Sequence, residues 1–160
     1  MAKIESRLAA MGLELPAAMV TPAGARLPFQ PVRIRGNRAY ISGHGPVDPR
    51  GNITGPFGKV GGEVTLEQAV HAARLTTLAM LGSLHRALGS LDRVSAWLRV
   101  FGMVNTAPGF NRYPAVINGC SDLILELYGP GPGDHARSAV GMAGLPWDIP
   151  VEIEAEVEID

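Results

Sequence analysis

RSAVGMAGLPWDIPVEIEAEVEID, residues 137–160, closes the chain. From Val151 to Ile159 the odd positions are apolar (Val151, Ile153, Ala155, Val157, Ile159) and the even positions are Glu152, Glu154, Glu156 and Glu158. Strict period-two alternation predicts a strand with one buried and one polar face. Upstream, RSAVGMA (137–143) reads as a second strand of small and apolar residues, divided from the first by the Gly144-Leu145-Pro146 turn and Pro150. A simple hairpin about that turn sets Arg137 and Glu152 roughly opposite each other. Insertion of another strand between them, or pairing across subunits, is equally compatible with the spacing. A guanidinium forks onto a carboxylate through charge-assisted bonds, and a nearby carboxylate steers water or protons. The pair is therefore a candidate site for a small acid. The plain alternatives are a surface charge for Arg137 and a solvated strand face for the glutamates, the latter preferred for Glu154, Glu156 and Glu158.

Residues 66–88 give the strongest helix signal: Leu66, Val70, Ala73, Leu81, Leu84 and Leu88 recur at helical spacing. Thr65 with Gln68 three residues on forms a capping box, and Gly89 supplies the stop. VSAWLRVFGMVN (94–105) reads as a strand. A second helix is expected over about 111–128, ended by Gly129, with Pro114 confining its regular part to the residues after it. VRIR and RAYIS, joined by Gly36-Asn37, form a hairpin over 32–42. GHGPVDPRGNITGPFGKVGG (43–62) is turn-rich and expected at the surface. Residues 2–12 form a short amphipathic helix with Ile4, Leu8 and Met11 near one face, followed by a loop rich in proline. These elements make one α+β domain over 1–160, a mixed sheet with helices on one face. Residues 1–28 are an N-terminal extension and 29–160 the core.

With 14 basic and 15 acidic residues and no Lys/Arg run, the chain lacks the concentrated positive surface that nucleic-acid binding requires. Apolar residues make up 46% of the chain and charged ones 18%, which places it among globular rather than disordered proteins. The longest apolar stretch, 66–88, is broken by Glu67, His71, Arg74, His85 and Arg86, so no membrane span is expected. The N-terminus has no secretory h-region, and a lone cysteine, Cys120, fits a reducing compartment. The expectation is a cytoplasmic protein.

His44, in Ser42-Gly43-His44-Gly45, is open to two readings, a proton-transfer group or a capping residue of the loop. His71 and His85 read as helix-surface residues, and His135 near Arg137 is ambiguous. Sparse His, Cys and Asp clustering argues against a metal site. No P-loop, dinucleotide fingerprint or serine-hydrolase elbow is present. Cys120 reads as buried core in preference to a nucleophile.

ARSAVGMAGLPWDIPVEIEA (136–155) resembles the C-terminal signature of the RidA/YjgF family, the reactive-intermediate enamine/imine deaminases, whose older label is endoribonuclease L-PSP. GNRAYISGHGPVDPRG (36–51) is similar to that family's Ser-Gly-Gln-x-Pro-x-Asp-Pro stretch, and Asn118 in VINGCSDL matches the asparagine of its second helix. The resemblance spans about 30–159 and leaves the first thirty residues outside. It implies a chorismate-mutase-like fold with two main helices on one sheet face, and homotrimers with clefts between subunits. It implies Arg137 as the group that binds the substrate carboxylate and Glu152 as the one that positions water. Asn118, Ser42 and Gly43 join the same pocket by analogy. Phe29 stands where the main branch carries tyrosine, His44 where it carries glutamine, and Ala139 where cysteine is common. The chain thus resembles a divergent branch.

The function so implied is cofactor-free hydrolysis of 2-imino or 2-aminoacrylic acids to 2-keto acids and ammonia, with no membrane or nucleic-acid partner. A second reading is a binding module for small carboxylic acids without turnover, which the Phe29 and Ala139 substitutions favour. RNA cleavage, the older label, has the least support from charge.

Overall fold

A computed structural model describes residues 2–160; Met1, from which the N-terminal extension is counted, lies outside the described residues. In chain order the elements are α1 (Lys3–Ala10), β1 (Val32–Arg35), β2 (Arg38–His44), α2 (Leu66–Leu88), β3 (Val94–Asn105), α3 (Tyr113–Tyr128), β4 (Ala136–Met142) and β5 (Val151–Ile159). Burial along β5 follows its sequence, with every odd position buried and every glutamate half-buried or exposed. The five strands form one mixed sheet in the order β1-β2-β5-β3-β4. Only β3 and β4 run parallel. The architecture is α+β in a single domain, one mixed sheet with its two long helices.

The hairpin arrangement of β4 and β5 does not occur. β3 lies between them, pairing with β4 on one side and β5 on the other. At twelve residues β3 is the longest strand and rich in buried apolar side chains, so a central place in the sheet satisfies both its backbone edges and its core-facing residues. The β4–β5 connection therefore crosses the end of β3, through a short 3-10 turn at Pro146–Asp148.

Both long helices cover one face of the sheet. A Cβ on Gly102 of β3 would lie 2.5 Å from the Ile117 side chain of α3, and one on Gly119 of α3 would lie 2.2 Å from the Val70 carbonyl of α2. The two glycines let strand, helix and helix meet at backbone distance. α2 begins on the expected capping box, with Thr65 Oγ1 accepting from the Gln68 N–H (3.2 Å) and Gln68 Oε1 accepting from the Thr65 N–H (2.9 Å). It ends at Gly89 in the left-handed conformation (φ 83°). Leu81, Leu84, Trp97, Ile117, Leu123 and Ile153 are fully buried between helices and sheet. Each such side chain stabilises the fold by about 1.5–3 kcal/mol. α3 starts at Tyr113 rather than 111, because Arg112 is not helical and Pro114 fits the first turn, where no N–H is needed.

The N-terminal segment is stitched into this core. The Lys3 and Ile4 N–H groups donate to the Asp92 carboxylate (2.7 and 2.8 Å), and Arg7 donates to the Leu127 carbonyl. Ile4 and Leu8 are buried in the main cluster, but Met11, just past the last helical turn, is exposed. Farther on, the Ala17 N–H donates to Pro49 O (3.0 Å) and the Val20 N–H to Gly51 O (2.8 Å). The turn-rich segment 43–62 is accordingly not all surface. Val47, Gly51, Gly58 and Val60 are buried, because the segment packs between residues 16–20 and the end of β3 instead of looping into solvent. No helix among the described residues is long and apolar enough to cross a membrane.

Candidate functional site

Arg137 lies near the start of edge strand β4, paired with Val100 of β3. Directly opposed residues share a sheet face, and Val100 is fully buried on the helix side. The guanidinium accordingly runs over α3. It donates to Asn118 Oδ1 (2.8 Å), Ser121 Oγ (3.1 Å) and the Pro114 carbonyl (3.4 Å). Asn118 sits one turn into α3 and points out from the core. Ala139 pairs with Gly102 on the same face, two residues on from Arg137. The structure thus brings Arg137, Asn118 and Ala139 together, and it adds Ser121, which also contacts His135 Nε2 (2.9 Å). His135 therefore helps position the arginine's neighbour.

Glu152 pairs with Met103, one residue past Gly102, so it projects from the other face, which no helix of this chain covers. Beside it β2 bulges: between Ile41 and His44 the strand advances three residues while β5 retreats two, from Ala155 to Ile153. The bulge carries Ser42 and Gly43. A Cβ on Gly43 would lie 2.4 Å from Glu152 Oε2, so the carboxylate rests where only glycine leaves room. Ser42 Oγ donates to the Gln30 carbonyl (2.7 Å), which ties the bulge to the N-terminal loop carrying Phe29.

The Glu152 carboxylate has no hydrogen-bond or ion-pair partner among the described residues. Burial, and secondarily the charge of Glu154, raises its pKa above the usual carboxylate value. It faces a cavity of about 680 Å3 whose wall includes Phe29, Ser42, Gly43 and His44. Glu152, Ser42, Gly43, Phe29 and His44 therefore form one group, and Arg137, Asn118 and Ala139 another. Within one chain the sheet separates Glu152 from Arg137, while His44 reaches α2 through Ser83 and the cavity extends to that helix.

His44 is braced on both ring nitrogens. Nδ1 lies 2.6 Å from the Ser42 carbonyl, which can only accept, so Nδ1 carries the hydrogen. Nε2 then accepts from Ser83 Oγ on α2 (2.8 Å). Burial lowers the imidazole pKa, partly countered by the Ser42 carbonyl and reinforced by the Arg86 charge, which keeps the ring neutral. Arg86 donates to Ser83 Oγ (3.2 Å) and to the Pro16 carbonyl (3.0 Å), so this chain of contacts pins the N-terminal loop to α2 and β2.

Ser121 and several further contributors were not singled out in the sequence. Arg86 and Ser83 were hidden inside a helix pattern. Trp147, 45% exposed on the cavity wall, has φ 54°, and Asp148 follows at φ 59°. Two successive left-handed non-glycine residues are a strained turn. It is held by Asn105, fully buried at the end of β3, whose Nδ2 donates to Asp148 Oδ1 (3.0 Å) and the Ile149 carbonyl (3.2 Å). A WD pair between two prolines was the available signal.

Cys120 is fully buried against α2, and burial pushes its thiol up to about 12, which makes it core. His71 is exposed; His85 lies 3.8 Å from Glu5, a carboxylate distant in sequence. Among the described residues no cluster of three or more His, Cys, Asp or Glu side chains is placed to hold a metal ion.

Known proteins share this fold. The family described as "YjgF/chorismate_mutase-like, putative endoribonuclease" matches residues 5–150. That span takes in most of the N-terminal segment that the sequence resemblance left out, and it stops two residues short of Glu152. Protein TCP17 of Trypanosoma cruzi is 35% identical over 158 residues, 99% of this chain and 95% of that protein. The crystal structure of Atu1372 from Agrobacterium tumefaciens, a protein of unknown function, is 38% identical, covering 99% of this chain and 92% of that one at a TM-score of 0.86. A Shewanella oneidensis structure described as a "putative endoribonuclease" is 29% identical, covering 98% and 99% at a TM-score of 0.88. On sequence and fold together, the chain belongs to the YjgF/chorismate-mutase-like family.

Proposed function

We propose that the protein hydrolyses reactive 2-imino acids, and the 2-aminoacrylic acids from which they tautomerise, to 2-keto acids and ammonia, at sites shared between copies of the chain in a homotrimer. The observation that carries this reading is Glu152, a half-buried carboxylate with no protein partner, its pKa raised, on the wall of a mainly apolar cavity. Such a group holds a proton more readily than an exposed carboxylate and has no protein partner to give up when it takes or returns one.

In the reaction so proposed, Arg137 of a neighbouring copy holds the substrate carboxylate with the donors that are not committed to α3, and Asn118 orients the guanidinium. Water attacks the electrophilic imine carbon as Glu152 accepts one of its protons and passes it to the imine nitrogen, which gives the neutral carbinolamine. Glu152 then takes the hydroxyl proton as the carbonyl forms and delivers it to the departing nitrogen, so ammonia leaves and the carboxylate is restored. One water is consumed for each imine, and neither electrons nor a covalent adduct are required. Ser42 and Gly43 shape the approach to the carboxylate. The closed set of contacts on His44 supports a bracing role for it over proton transfer. A reducing compartment such as the cytoplasm suits a chain whose one cysteine is free and buried.

Adding the purified protein to a dehydratase that generates iminopyruvate tests the reading. Ammonia release is expected to accelerate, and Arg137→Ala to abolish the gain. Equal release with and without protein rejects deamination. A small-carboxylate binding role without turnover is favoured in one respect by Phe29 and Ala139, which lack the hydroxyl and thiol of the main branch. Thermal stabilisation by keto acids with no turnover of any imine would select it. RNA cleavage would require salt-sensitive binding of RNA, for which a net charge of −1 offers little support.

A further inference from the structure

The cavity beside Glu152 is far larger than a three-carbon acid requires. At about 680 Å3 it falls within the range of roughly 300–1,000 Å3 typical of pockets that enclose drug-sized ligands. Its walls come from three places: Leu27 and Phe29 of the N-terminal loop, Ala79 and Ala87 of α2, and Trp147 and Ile149 of the strained turn. Phe29 and Trp147 are 53% and 45% exposed, large apolar surfaces that this chain leaves uncovered around the opening. Ala79 and Ala87 lie two turns apart on one side of α2 and leave the space that longer side chains would fill.

Arg86, the one arginine or lysine on this wall among the described residues, is turned to structural use. It donates to the Pro16 carbonyl and to Ser83 Oγ, and so holds the loop against the helix. The cavity therefore offers apolar contact in bulk, with a single acid–base group at one end. Its α2 wall, Ala79 and Ala87, is made by residues outside the motifs that carry the proposed chemistry, so size selection and chemistry are separable.

We infer that the site selects 2-imino acids carrying a bulky apolar substituent, branched or aromatic, over small ones, with the reacting carbon at Glu152 and the substituent lying along α2 between Phe29 and Trp147. This rests on the reading of Glu152 as the water-positioning group. One methylene in an apolar pocket shifts selectivity by roughly tenfold or more. An open-sided cavity gives less for each carbon but gains over several.

The product keto acids are stable and serve as probes. Calorimetric titration with pyruvate, 4-methyl-2-oxopentanoate, phenylpyruvate and 2-oxoglutarate is expected to show the two bulky apolar acids binding at least about tenfold more tightly than pyruvate. Ala87→Phe, at an exposed position, should bring that ratio close to one. Ala79→Leu should act in the same direction from deeper in the wall. Equal affinity for all four acids, tightest binding of 2-oxoglutarate, or a ratio that neither substitution alters would overturn the inference. If the keto acids rank as expected while no imine is hydrolysed faster, selectivity stands and deamination falls. If imines are hydrolysed rapidly without any size ranking, deamination stands and selectivity falls.

Discussion

Arg137 and Glu152 stand on opposite faces of one sheet. The first is paired with buried Val100 and bound to Asn118 on the helix side, and the second is paired with Met103 on the uncovered side. No side-chain rotation brings them together, because the sheet lies between. A site that uses both must be completed by a second copy of the chain, and a closed ring of copies satisfies every such site at once.

The close approach of Gly43 to Glu152 gives a sharp dissection. In Gly43→Ala the new methyl would sit 2.4 Å from Glu152 Oε2, the mobile end of a side chain, so the carboxylate swings away and the backbone stays. The proposed imine hydrolysis is expected to fall about 100-fold or more, as for loss of a positioned acid–base group. Unfolding free energy should change by no more than about 1 kcal/mol, since surface changes away from buried features are small. Steady-state kinetics and urea unfolding on the same preparation check both halves.

Glu152→Gln should trade activity for stability in a pH-dependent way. The carboxyl's pKa is raised in the folded protein, so its ionisation is more costly folded than unfolded. By linkage, the wild type loses stability relative to the glutamine variant as pH rises through the window above the ordinary value of 4.5. The variant is expected to be more stable at pH 8 by about 0.5–2 kcal/mol, the span common when a functional position is relieved. The two proteins should converge below pH 4.5, where both forms are uncharged. Chemical unfolding across pH 4–8 reads this out; a gap that widens toward acid would contradict the assignment.

The α2–α3 contact is predicted to be the least forgiving packing feature. Gly119→Ala would place a methyl 2.2 Å from the Val70 carbonyl, which is backbone within the N-terminal part of α2 and cannot move alone. The cost is expected at about 1–3 kcal/mol or more, as for an overpacked core. Thermal unfolding of the variant measures it, and an unchanged midpoint would mean that the helices are free to separate.

Much of this architecture was legible in local pattern. The β5 alternation, the capping box of α2 and the Gly36-Asn37 hairpin each depend on neighbours within a few residues, and each matches the structure. Strand order was not legible, because the insertion of β3 between β4 and β5 is settled by which strand can satisfy two edges and two packing faces. The partly buried course of 43–62 was hidden for the same reason: its hydrogen-bond partners, Ala17 and Val20, lie about thirty residues upstream. Motif resemblance named Arg137, Glu152, Asn118, Ser42 and Gly43, but it carried no information on faces. Arg86, Ser83 and Trp147 belong to the cavity through the fold alone.

The central claim is that one chain's Arg137 works with another chain's Glu152. Arg137→Ala and Glu152→Gln proteins, each expected to be inactive alone, can be unfolded together, refolded as a mixture and assayed for imine hydrolysis. If sites are shared, random assortment joins an intact arginine to an intact glutamate at about a quarter of the interfaces, and activity returns toward that fraction of wild type. If the refolded mixture forms mixed assemblies yet stays as inactive as its parents, both residues act within a single chain or not at all, and the account is contradicted.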